Sequence, residues 1–92
     1  MRYKSFTKRL LYQGEFVVCK LTETREGESH FFTAGMDLKK DHYAQSFFES
    51  GDEWIAKHDE VFYSQSNIKM LPGGISAVLV EHLNDQYPIN IV

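Results

Sequence analysis

The side chains of this sequence that could do chemistry are four histidines, one cysteine and thirteen carboxylates. Three of the histidines stand beside an acid, as Asp41-His42, His58-Asp59 and Glu81-His82. Neighbouring residues diverge by about 100° on a helix and point to opposite faces of a strand. None of these pairs can therefore chelate a metal or form a hydrogen-bonded dyad by itself. Metal motifs place ligands on one face, for example at i and i+4, and no histidine has that spacing to another histidine or to Cys19. The sequence contains no Gly-x-Ser-x-Gly elbow and no glycine-rich phosphate loop. Cys19 sits between Val17 and Leu21 in an alternating run, where a thiol behaves as a small buried hydrophobe. No catalytic residue, metal or cofactor is assigned on these grounds.

His58 is the histidine with the best claim to a pocket. Trp54, Ile55, His58, Val61 and Phe62 fall on one helical face. A histidine in such a stripe packs on Trp54 with its polar nitrogen bonded, or titrates in a pocket that Trp54 and His58 line together. The first reading is favoured, because spacing sets no second catalytic group beside His58.

The elements that would position these residues read as follows. Tyr3 to Tyr12 alternates weakly and is taken as a strand in preference to a helix. Glu15 to Arg25 alternates clearly and is rich in β-branched residues. Glu26-Gly27-Glu28 turns the chain, and Ser29 to Thr33 returns, giving a three-stranded antiparallel meander. Leu38 to Phe48 reads as a helix from the stripe Tyr43, Ala44, Phe47 and Phe48. Ser50-Gly51-Asp52-Glu53 has the form of a capping box and would open the Trp54 helix. Ile75, Val78, Leu79 and Leu83 fit a helical face, while Ile75 to Val80 equally suits a buried strand. A helix followed by a terminal strand over Tyr87 to Val92 is the favoured reading. The expected architecture is a single α+β domain spanning 1–92. Its antiparallel sheet comprises the N-terminal meander plus a C-terminal strand and is covered on one face by two or three helices.

Length and composition agree with one domain. Ninety-two residues, 42% of them hydrophobic and 14% aromatic, suffice for one core and not for two. The longest uncharged stretch, Met70 to Val80, is far short of the roughly 20 apolar residues of a spanning helix. Membrane insertion is not expected, and a lone cysteine suggests a reducing, cytoplasmic setting.

The net charge of −3 is unevenly placed. Residues 1–12 hold Arg2, Lys4, Lys8 and Arg9 and no acid, whereas the rest of the chain holds the other six basic and all thirteen acidic side chains. With Tyr3, Phe6 and Tyr12 interleaved, this segment has the composition of a nucleic-acid contact, or of an edge strand guarded by cations. The adjacent pairs Phe31-Phe32, Phe47-Phe48 and Phe62-Tyr63 supply another sign, since one ring of each can face away from the core. The expectation is a small, non-catalytic protein–protein interaction or regulatory module, homodimeric, with a protein or a second copy as partner. The alternatives are a nucleic-acid binder acting through residues 1–12, and a small enzyme or ligand binder built on Trp54 and His58.

Overall fold

The computed structural model describes residues 2–89. Five antiparallel strands follow one another along the chain and across the sheet: β1 (Arg2–Tyr12), β2 (Glu15–Glu26), β3 (Ser29–Leu38), β4 (Asp41–Ser50) and β5 (Glu53–Lys57). Each connection is a two-residue loop, closing Tyr12 on Glu15, Glu26 on Ser29, Leu38 on Asp41 and Ser50 on Glu53. Such tight hairpins need left-handed backbone, because only then does the turn match the twist of the strands. Gln13-Gly14 supplies it at both positions (φ 51° and 80°), and Gly51 supplies it before Asp52 (φ 62°).

After β5 the chain forms a single helical turn and a half, α1 (Glu60–Gln65), capped by the Asp59 carboxylate on the Phe62 amide at 3.0 Å. It then lays β6 (Ile68–Met70) parallel to β4 beyond the end of β5, pairing His42 with Ile68 and Ala44 with Met70. Last comes α2 (Gly73–Gln86), whose first turn bonds back to the Pro72 carbonyl. Its buried stripe Ile75, Leu79 and Leu83 repeats every four residues and faces the sheet.

The core lies between α2 and one face of the sheet. Leu10, Val17, Cys19, Leu21, Phe32, Ala34, Met36, Phe47 and Trp54 enter it from the strands. Trp54 is 1% exposed. Its indole N–H donates to the Tyr87 carbonyl at 2.7 Å, and its backbone N–H donates to Asn84 Oδ1 at 2.6 Å. These bonds pin the C-terminal end of α2 to β5. From the opposite edge of the sheet, Phe6 of β1 stacks on Tyr87 with ring centroids 5.9 Å apart. Both edges therefore reach the same helix end, and the sheet curls around α2.

A small domain with an antiparallel sheet and two helices is thus observed, but the middle of the chain differs from the expectation. Residues 38–48 and 54–57, expected as helices, are the strands β3–β4 and β5, and the expected capping box at Ser50 is a hairpin turn. The cause is apolar side chains on both faces. Phe47 and Trp54 point into the core, and their neighbours Phe48 and Ile55 point out. The polar Gln45 occupies a buried position, donating to the Lys57 carbonyl at 3.1 Å. The resulting apolar spacing imitates a helical stripe. Only α2 lies over the core face, so the expected cover of two or three helices reduces to one, and α1 buries no residue. The helical reading of 75–83 matches α2. Residues 87–89 of the expected terminal strand lie outside any strand, and 90–92 lie outside the described residues. Among the described residues no helix is long and apolar enough to cross a membrane.

Candidate interaction surface

The strand registers fix what the other face of the sheet carries. One rung is Leu11–Phe16, beside Arg9–Val18. Next comes Thr7–Lys20–Gly35–Ala44, followed by Ser5–Thr22–Thr33–Ser46–Lys57. The far rung is Thr24–Phe31–Phe48–Ile55. Two apolar ends are therefore separated by a band of small and hydroxyl side chains. α2 lies on the opposite side, and of the two helices only the short α1 reaches this face, where Phe62 and Tyr63 stand beside Thr33, Ser46 and Phe48. Leu11 and Phe16 are each 65% exposed, Val18 56% and Ile55 42%. Phe31 and Phe48 stack at 5.5 Å.

Cations are fitted onto these rings. The Arg9 guanidinium lies 4.4 Å from the centre of the Phe16 ring, and Lys57 Nζ lies 5.2 Å from that of Phe48. Such stacking keeps the apolar surface presentable to water while leaving a charge on it. The missing side chain at Gly35 and the short one at Ala44 leave a shallow groove of about 480 Å³ along the middle band, flanked by Val18, Lys20, Thr33 and His42. At its edge α1 leans in, with the Tyr63 hydroxyl donating to the Ala44 carbonyl at 2.5 Å. Burial, and the nearby Asp59 charge, raise the Tyr63 pKa above its ordinary value.

The residues singled out from sequence fall apart in space. Arg2, Lys4, Lys8 and Arg9 all lie on β1, but alternation divides them. Lys4 and Lys8 pair with the core-side positions Glu23 and Cys19, whereas Arg9 pairs with Val18 on the outer face. Arg2 pairs with Arg25. Of the rings between them, Phe6 and Tyr12 pack against the core. Trp54 and His58 stand in different surroundings. Trp54 contacts Phe32 and His30 and lines a cleft with Arg25, Glu49 and Tyr87, of which His58 is not a wall. His58 follows β5 and stacks on Tyr63 at 5.6 Å, with its Nδ1 against Met70 Sδ. Cys19 is fully buried, and that burial raises its thiol pKa, which disfavours the reactive thiolate.

A polar cluster that spacing did not reveal joins three strands. His30 Nε2 lies 2.7 Å from Glu23 Oε2, and His30 Nδ1 lies 3.0 Å from Glu49 Oε1, with Arg25 3.6 Å from Glu23. His30 and Glu23 have side chains only 14% and 12% exposed. Their separations of 7 and 19 residues have no motif signature. Only the β2–β3–β4 register makes them neighbours. The carboxylates and the ring satisfy one another, which suits a cross-strand brace better than a site open to substrate. Among the described residues, no three His, Cys, Asp or Glu side chains gather as a metal-binding set. Comparison of the chain with protein-family models, curated proteins and solved structures gives no match in any of the three.

Proposed function

We propose that this protein is a non-catalytic protein–protein interaction or regulatory module that works as a homodimer, the sheet face opposite α2 meeting the same face of a second copy. The observation that carries this reading is the exposure of Leu11, Phe16, Val18 and Ile55 on one face of the sheet. Apolar side chains left on one face gain roughly 25 cal/mol for each Å² removed from water. β1 to β4, about 4.8 Å apart and about 35 Å long, present with the five-residue β5 on the order of 700 Å², part of it beside α1, against the roughly 800 Å² per partner of a stable interface.

The layout also favours a second copy over an arbitrary partner. A two-fold axis through the band of small residues brings the Leu11–Phe16 end of one copy onto the Phe31–Phe48–Ile55 end of the other. Arg9 lies at the first end, and the outward positions Glu26 and Glu53 lie at the second. The same rotation therefore matches charge with apolar surface. The nucleic-acid alternative draws less support, because Phe6 and Tyr12, two of the rings that would stack on bases, pack inward. Light scattering on dilution tests the proposal. A dimer that dissociates when Phe16 is changed to Glu, with circular dichroism unchanged, supports it. A single-chain mass at every concentration refutes it.

A further inference from the structure

We propose that the free edge of β1 is a second docking site, which takes an acidic peptide in extended conformation as an additional strand of the sheet. β1 pairs with β2 at all eleven positions from Arg2 to Tyr12, without a bulge. Among the described residues it has no neighbour on its other side. In an antiparallel pair, alternate residues turn their backbone N–H and C=O groups away from the partner strand. A long, unbulged edge of this kind is a template for strand addition. β1 contains neither proline nor any other backbone device that would blunt it.

Charge selects the occupant. Residues 1–12 carry four cations and no acid. Lys4 and Lys8 stand on the α2 side of the strand and Arg9 on the outer side, so cations flank the edge on both faces. An added strand alternates its own side chains in the same way, and acids on either face then meet a cation about 5 Å away. Acids four residues apart on the peptide match Lys4 and Lys8, both spacings being about 13 Å. A second copy of β1 is the wrong occupant, since it would set a wholly cationic segment against itself, and opposed like charges destabilise a strand pair. Single-stranded nucleic acid is disfavoured by the inward packing of Phe6 and Tyr12.

The test uses the full chain and a fluorescein-labelled peptide of sequence Glu-Glu-Val-Thr-Glu-Glu-Val-Thr. Anisotropy at low salt is expected to show binding that weakens about tenfold in the double variant Lys4→Glu/Lys8→Glu, as two reversed surface charge pairs imply. Lys4→Gln/Lys8→Gln serves if the double reversal misfolds, and is expected to weaken binding by a smaller factor. Hydrogen exchange should slow at alternate β1 amides when the peptide is bound. Phe48→Ser/Ile55→Ser, which alters the outer face at β4 and β5 and leaves Arg9 on its Phe16 ring, should leave peptide affinity intact, so failure of the dimer and failure of this edge are read separately. Absence of binding, protection outside β1, or binding of oligothymidylate in place of the peptide would each overturn the proposal.

Discussion

The two faces of this one sheet are built from similar residues and do opposite things. On one, Phe32, Phe47 and Trp54 are sealed beneath the Ile75–Leu79–Leu83 stripe of α2. On the other, Phe31, Phe48 and Ile55 occupy the neighbouring positions on the same strands, and only the short α1 comes near them, with Phe62 and Tyr63 beside Phe48. The first arrangement holds the monomer together. The second contributes little to the isolated chain, and in the proposed dimer it is the surface that a second copy covers.

Mutation separates the two faces by magnitude. Trp54→Ala is expected to cost about 3–5 kcal/mol in urea denaturation, because it leaves a cavity and removes the indole bond to the Tyr87 carbonyl. A cost below about 1 kcal/mol would mean the helix-covered face is not the true core. His30→Leu should cost about 1–3 kcal/mol, by leaving the Glu23 carboxylate with little exposure and without its ring partner. His30→Gln, which keeps a donor, should recover part of that loss. Phe16→Ser should change monomer stability by only about 0.5 kcal/mol, measured at concentrations where dimers are dissociated. A loss as large as that of Trp54→Ala would abolish the distinction between the faces.

A smaller effect is expected with pH. Burial, followed by the Lys8 charge, lowers the His82 pKa below its ordinary 6.5, against an opposing pull from Asp85. The folded state then binds its proton less readily than the unfolded chain. Stability contributed by neutral His82 is present above pH 6.5 and falls away as the pH drops toward the depressed folded value. The urea midpoint should fall between about pH 7.5 and 5.5, and fall less in His82→Gln. An identical drop in both proteins would remove His82 from the account.

The same doubling of apolar residues explains what could be read from the sequence. β2 was legible because Val17, Cys19 and Leu21 fall at every second position of a run dense in β-branched residues, although Phe16 and Val18 beside them are also apolar. β1 alternates only weakly, and the every-fourth stripe of α2 favoured a helix over a buried strand. β4 and β5 were not, because Phe47-Phe48 and Trp54-Ile55 put apolar groups on both faces while Gln45 took a buried position. Two apolar residues in a row, three or four apart from the next two, have the spacing of a helix. The inference that one ring of each adjacent pair faces outward was nevertheless correct for Phe31 and Phe48, which stack on the open face. The signal that obscured the secondary structure was the signal of the surface. The His30 cluster had no signal at all, since its members are joined by strand register and not by spacing.

Disulfide trapping between single-cysteine substitutions tests the face-to-face dimer most directly, since the buried Cys19 does not compete. An equimolar mixture of Phe16→Cys and Ile55→Cys chains under mild oxidation should give a cross-linked heterodimer in far higher yield than either chain alone. It should also exceed the yield with Glu81→Cys, which lies on exposed α2 surface. A mixture that cross-links no better than the Glu81→Cys control would contradict the account.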